Sequence, residues 1–149
     1  MKTLRLQQHV YFDVLLEELK LGKRVRIQVR GRSMHPFLRH EVDFVWLCSP
    51  SCKSLRIGSI VLACLPDSDR YVLHRVVART GDRLTLQGDA HRWEQESCYM
   101  SDVLACVEVV EHGARYIEMN HLFWVVLMSL WCKFLSCRKA MVMILKQIG

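Results

Sequence analysis

The chain has 149 residues, 51% hydrophobic and 24% charged with few Gly and Pro, and a formal net charge of +6. That length is enough for one domain with its own core, and the composition excludes a disordered or low-complexity protein. The excess charge lies between Lys20 and Arg39 and after Glu118, which suits an anionic membrane surface or plain solubility; with no helix-turn-helix, RNA-binding aromatic motif or zinc-finger spacing beside it, no nucleic-acid partner is expected.

From Met1 to Leu21 the apolar residues are broken by Gln7, Gln8, His9, Asp13, Glu17 and Glu18. That pattern excludes a secretory signal peptide and an N-terminal anchor, so a cytoplasmic or peripherally membrane-associated protein is expected. Apolar positions 10, 14, 15, 19 and 21 fit one face of a short amphipathic helix, which Gly22 stops. Lys23 to Arg30 alternates Val25, Ile27 and Val29 against basic or amide residues, the pattern of a half-buried strand. It leads into Gly31-Arg32-Ser33-Met34-His35-Pro36-Phe37-Leu38, a turn in which a serine sits on stiff backbone. Taken alone, these residue types favour an ordinary surface turn, and it is their position relative to the downstream motifs that points to a nucleophile.

Further strands are expected at Asp43 to Cys48, Ser59 to Leu65, Tyr71 to Arg79, Arg83 to Gln87, Val103 to Val110 and Arg115 to Met119. Thr80-Gly81-Asp82 marks a tight hairpin, and Gly88 to Met100 reads as a polar and aromatic loop. The fold class is therefore mainly β, a small antiparallel barrel-like domain with a short N-terminal helix. Residues 120–149 are different: Leu122 to Leu145 is overwhelmingly apolar, with Ser129, Lys133, Ser136, Lys139 and Lys146 on one stripe of a long helix. Its longest charge-free run, Leu122 to Cys132, is short of the roughly 20 residues a span requires. A helix lying in a membrane interface and a helix docked on the core or on a partner protein both fit.

Seven cysteines, an odd number without a CxxC pair, argue against a disulfide framework and a zinc ribbon. Cys48 and Cys52 flank a Ser-Pro-Ser turn, but a full set of metal ligands is not visible, so no metal or other cofactor is expected.

Ser33 and His74 are the residues that carry chemistry. A serine is a weak nucleophile until a base takes its proton, and histidine, titrating near neutrality, is the usual base. The alternation of its strand puts His74 on the face of Val72 and Val76, where its ring needs a hydrogen-bond partner. A carboxylate such as Asp89 would orient the imidazole.

The ordered boxes Gly31-x-Ser33-Met34-x-Pro36, Asp43-x-Val45, Arg56-x-Gly58-x-Ile60-Val61, His74-Arg75-Val76 and Gly88-Asp89 together resemble the signal peptidase I and LexA-like serine peptidase superfamily across residues 23–118. The resemblance implies a peptidase domain over 1–119, followed by the apolar helix over 120–149, and a serine endopeptidase acting on a peptide or protein precursor. Ser33 matches the nucleophile. His74 stands where bacterial signal peptidases and LexA-type repressors carry lysine and the endoplasmic-reticulum and archaeal type carries histidine, which implies the Ser-His branch. Asp89 matches the first acid of the Gly-Asp box; the second acid is open between Glu94 and Glu96, and Gly58-Ser59 replaces the more usual Gly-Asp. Met34, Pro36 and Leu73 are the implied substrate contacts, with the peptide extended beside the Ser33 or His74 strand. The alternative is a catalytically inactive peptide-binding module of the same fold.

Overall fold

The computed structural model describes residues 2–51, 55–91 and 93–148, with side chains described over 7–51, 55–91 and 93–134 and at 147. Cys52 of the Cys48 and Cys52 pair, and the side chains of Ser136, Lys139 and Lys146, lie outside the described residues.

The first helix, α1, spans Lys2–Lys20 and is longer than the short helix expected from Val10 onward. Phe12, Leu15 and Leu19, at spacings of three and four, form its buried stripe. It ends at Gly22, whose φ of 76° follows the last turn; Gly22 N–H donates to Leu19 O at 3.0 Å and Lys23 N–H to Glu18 O at 3.2 Å. This 6→1 and 5→2 pair is the Schellman arrangement that favours glycine.

The strands are β1 Val25–Gln28, β2 Phe44–Cys48, β3 Ile60–Leu65, β4 Arg70–Thr80, β5 Arg83–Gln87, β6 Glu96–Tyr99, β7 Val103–His112 and β8 Arg115–Glu118. They form one antiparallel half-barrel sheet in the order β1-β2-β7-β3-β4-β5-β6, with β8 paired to β7. β1 is shorter than the alternation of Lys23 to Arg30 suggests, because the chain then bends away to make the serine turn. The strand absent from the sequence reading is β6, inside the stretch expected to be a loop. Of its four residues only Cys98 is buried, so it lacks the apolar alternation that marks a strand; pairing with β5 makes it one.

Each face of the sheet carries a buried apolar cluster. Ile60 and Leu62 of β3 join Met34, Leu38, Val45, Leu47 and Val110 under α1, while Val61, Ala63 and Leu65 join Val72, Val76, Leu84 and Leu86 on the other side. Adjacent residues of a strand point to opposite faces, so one strand feeds two cores.

The second helix, α2, spans Leu122–Ile148. It seats on the sheet through Met128 and Cys132, one turn apart and both buried. Gly58 makes the approach possible: its φ is +98°, and a Cβ there would lie 3.2 Å from Met128 Cβ. Ser129 Oγ turns back to donate to Val125 O at 2.9 Å, and Lys133 is exposed. Leu122, Phe123, Val126, Leu130 and Phe134 are also exposed. Among the described residues no helix is long and apolar enough to cross a membrane.

Candidate active site

The serine turn is fastened from below and from the side. Met34 and Leu38 are buried in the core, Leu38 N–H donates to Met34 O at 2.9 Å, and Gly31 N–H donates to His40 Nδ1 at 2.8 Å. Ser33 itself is half-buried, and its carbonyl accepts the N–H of Ala90 at 2.9 Å. A Cβ on Gly88 would stand 2.5 Å from that same carbonyl oxygen, so glycine is required by close backbone approach. The Gly88 to His91 segment is thus pressed against the serine turn.

The same segment borders His74. This residue lies at the middle of β4, opposite Val61, and is 4% exposed. Its Nδ1 is 2.9 Å from Glu96 Oε2 on β6, and its ring meets His91 edge-on with centroids 5.6 Å apart. Glu96 is also approached by Arg70 Nη2 at 3.4 Å. Burial pushes the His74 imidazole below its ordinary pKa; Glu96 offsets part of this, and the charges of His91 and Arg70 add to it. The neutral ring is therefore favoured, and the tautomer selected by Glu96 carries the proton on Nδ1. That leaves Nε2 as a lone pair, with no hydrogen bond among the described residues. Ser33 Oγ makes no hydrogen bond to the ring in this arrangement.

The third expected catalytic residue is held elsewhere. Asp89 is bound to Arg75 rather than His74: Arg75 Nε and Nη2 donate to its two oxygens at 2.8 and 2.7 Å. The reason is the pleat of β4, which turns Arg75 to the face opposite His74. Arg75 is fully buried, donates its Nη1 to Gly58 O at 2.8 Å and lies 4.8 Å from the centre of the Phe37 ring. A buried guanidinium needs a carboxylate, and Asp89 is the one it takes. Glu94 is exposed and 3.7 Å from His91, so the acid on His74 is Glu96. Sequence reasoning left Glu96 level with Glu94 because β6 was read as loop.

The three expected substrate contacts separate. Leu73 lines a groove of about 620 Å³ between α1, β1 and β4, whose floor includes Ile27, Leu62 and Tyr71. Met34 is in the core and does not line it. Pro36 belongs to a second groove of about 620 Å³, against Trp124, Leu127 and Trp131 of α2. Two backbone edges flank the first groove. Among the described residues β1 pairs only with β2, and the Arg70 to His74 half of β4 pairs only with β3, since its ladder with β5 starts at Arg75. Among the described residues no group of three or more His, Cys, Asp or Glu side chains is placed to hold a metal ion. Cys48, Cys64 and Cys98 are free thiols; burial raises the Cys98 thiol to about 11, so it is protonated at neutral pH. No protein-family model and no curated protein matches the chain.

Proposed function

We propose that the chain is a serine-type endopeptidase that cleaves a peptide or protein precursor, with Ser33 as nucleophile, His74 as general base and Glu96 as the orienting carboxylate. The observation that carries this reading is the His74 and Glu96 contact. A buried neutral imidazole, held through Nδ1 at 2.9 Å with Nε2 unclaimed, is the form in which histidine accepts a proton. The order of boxes shared with the signal peptidase and LexA-like superfamily supports the same assignment of Ser33 and His74.

In this mechanism Ser33 Oγ attacks the scissile carbonyl while its proton passes to His74 Nε2. The imidazolium that forms is stabilised by Glu96, and the proton then leaves with the amine as the C–N bond breaks. Water, deprotonated by the same ring, releases the acyl group and restores Ser33. The Ser33 N–H would donate to the oxyanion, and a donor so placed is worth about 3 kcal/mol. Substrate adds as an extended segment along the open edges of β1 and β4, its backbone hydrogen bonding there and Leu73 meeting one side chain. Ser33 Oγ closes on Nε2 when substrate fills the groove, as catalytic hydrogen bonds commonly do.

The open Ser33 and His74 contact also favours a second reading, an inactive peptide-binding module. A fluorophosphonate probe separates the two. Labelling of wild type that is lost in Ser33→Ala establishes the nucleophile; equal labelling of both proteins sinks it. Failure of wild type to label, with peptide capture intact, establishes the binding module.

We propose further that α2, the apolar C-terminal helix, attaches the protein peripherally to an anionic membrane surface. Its exposed Leu122, Phe123, Val126, Leu130 and Phe134 accompany Lys133, Arg138, Lys139 and Lys146, with no acidic residue in the helix. Sedimentation with phosphatidylserine vesicles and not with phosphatidylcholine vesicles is the expected result; equal recovery with both, or with neither, refutes it.

A further inference from the structure

The groove beside Leu73 has one wall that comes from outside the sheet. Gln7, Gln8 and Tyr11 of α1 line it opposite β1 and β4. Their spacing puts them on successive turns of one helix face, next to the buried stripe of Phe12, Leu15 and Leu19. The wall is fixed in place. Phe12 stacks on Tyr71 with centroids 4.0 Å apart, Tyr71 Oη is 2.7 Å from His9 Nδ1, and His9 Nε2 is 3.2 Å from Asp69. Core packing accounts for Phe12, Leu15 and Leu19 but not for their neighbours: Tyr11 is 52% exposed, and the amides of Gln7 and Gln8 have no hydrogen-bond partner among the described residues.

We infer that Gln7, Gln8 and Tyr11 set the sequence preference of the peptide this groove takes, which is an extended segment carrying an apolar residue and, two positions away, an uncharged hydrogen-bonding one. The groove's location as a peptide site rests on the function proposed above; the role of α1 in it does not follow from that function. Side chains two residues apart on a strand point the same way, so both enter the groove. One meets Leu62 and Leu73. The other meets two carboxamides, each offering a donor and an acceptor, and the ring of Tyr11. Arg30 at the rim is 3.5 Å from Glu41, which tempers any call for an acidic side chain.

The test uses the full chain and a pool of synthetic peptides of randomised sequence, read in two ways. In the first, peptides retained by Ser33→Ala are compared with those retained by Ser33→Ala carrying Tyr11→Ala or Gln8→Ala. In the second, cleavage sites made by wild type are compared with those of the two single variants, whose melting and fluorophosphonate labelling show that the fold and nucleophile are intact. The expected result is a changed preference at one position in both readouts, with KM for wild-type-selected peptides raised about tenfold and kcat little altered, as loss of a binding contact produces. Identical retained and cleaved sets in all proteins would overturn the assignment and leave α1 a packing element only. A wild type that retains peptides but cuts none refutes the peptidase reading alone, and the capture comparison still decides the role of α1. A wild type that neither retains nor cuts any peptide overturns both.

Discussion

Replacing Asp89 by Ala tests whether that carboxylate holds the fold or does the chemistry. The substitution removes both acceptors of Arg75 Nε and Nη2, at 2.8 and 2.7 Å, and leaves a fully buried guanidinium with Gly58 O and the Phe37 ring. Breaking one partner out of a buried ion pair costs about 3–5 kcal/mol, a large share of the roughly 5–15 kcal/mol that stabilises a domain. At about 2–4 °C per kcal/mol for a chain of this size, the melting temperature should fall by roughly 6–20 °C. Thermal and urea unfolding of wild type, Asp89→Ala, Arg75→Met and the double variant Arg75→Met/Asp89→Leu form the assay. The double variant should be more stable than Asp89→Ala, because it leaves no charge buried alone. Fluorophosphonate labelling well below the midpoints should be unchanged per folded molecule. An Asp89→Ala protein that melts like wild type yet fails to label would refute the clamp and return Asp89 to the catalytic machinery.

Three further outcomes follow from the same geometry. In Gly88→Ala the new Cβ would stand 2.5 Å from Ser33 O, which forces the serine turn away from the Gly88 to His91 segment; a displacement near 1 Å at a nucleophile costs on the order of 10²-fold, so labelling should drop by that order, and wild-type labelling would contradict the proposed contact. Glu96→Gln keeps the shape of the side chain but removes the charge that raises the His74 pKa; peptide cleavage should fall on the order of 10²–10⁴-fold and the acid limb of its pH profile should move to lower pH, whereas a limb that moves up or stays would exclude Glu96 as the partner. In wild type that limb should already lie below the ordinary histidine value, since the folded protein holds His74 neutral. The unfolded chain binds this proton more readily, so the contribution of His74 to stability is whole above about pH 6.5 and is lost as the pH falls toward the folded pKa; urea midpoints of wild type and His74→Gln should converge in that window, and parallel curves would refute the linkage.

What the sequence discloses here tracks how each signal is encoded. β3, β4 and β5 were legible because apolar alternation and the Gly81 hairpin are local, and the turn forms where expected, with Gly81 at φ 59°. β6 was not legible because its identity as a strand resides in its partner: Leu84 pairs with Cys98 and Leu86 with Glu96, and nothing within Glu-Ser-Cys-Tyr alternates in hydrophobicity. That omission hid the carboxylate His74 meets, since it is the ladder with β5 that carries Glu96 to His74. Ser33 and His74 could be singled out, but a one-dimensional order of boxes cannot tell which carboxylate each basic group receives.

The pleat makes that choice. His74 and Arg75 are consecutive, so their side chains leave β4 on opposite faces and cannot share one acid through the same side of the sheet. A guanidinium has no accessible neutral form and Arg75 is fully buried, whereas His74 escapes the cost of burial by staying neutral. The group that cannot neutralise itself therefore has the greater claim on the more buried of the two carboxylates, Asp89, with a side-chain exposure of 1% against 19% for Glu96. Glu96, less buried and shared with Arg70, remains for the histidine, where it offsets only part of the desolvation and leaves the ring neutral. An apolar residue in place of Arg75 would not convert Asp89 into a partner for His74, because the carboxylate would still face the wrong side of the strand.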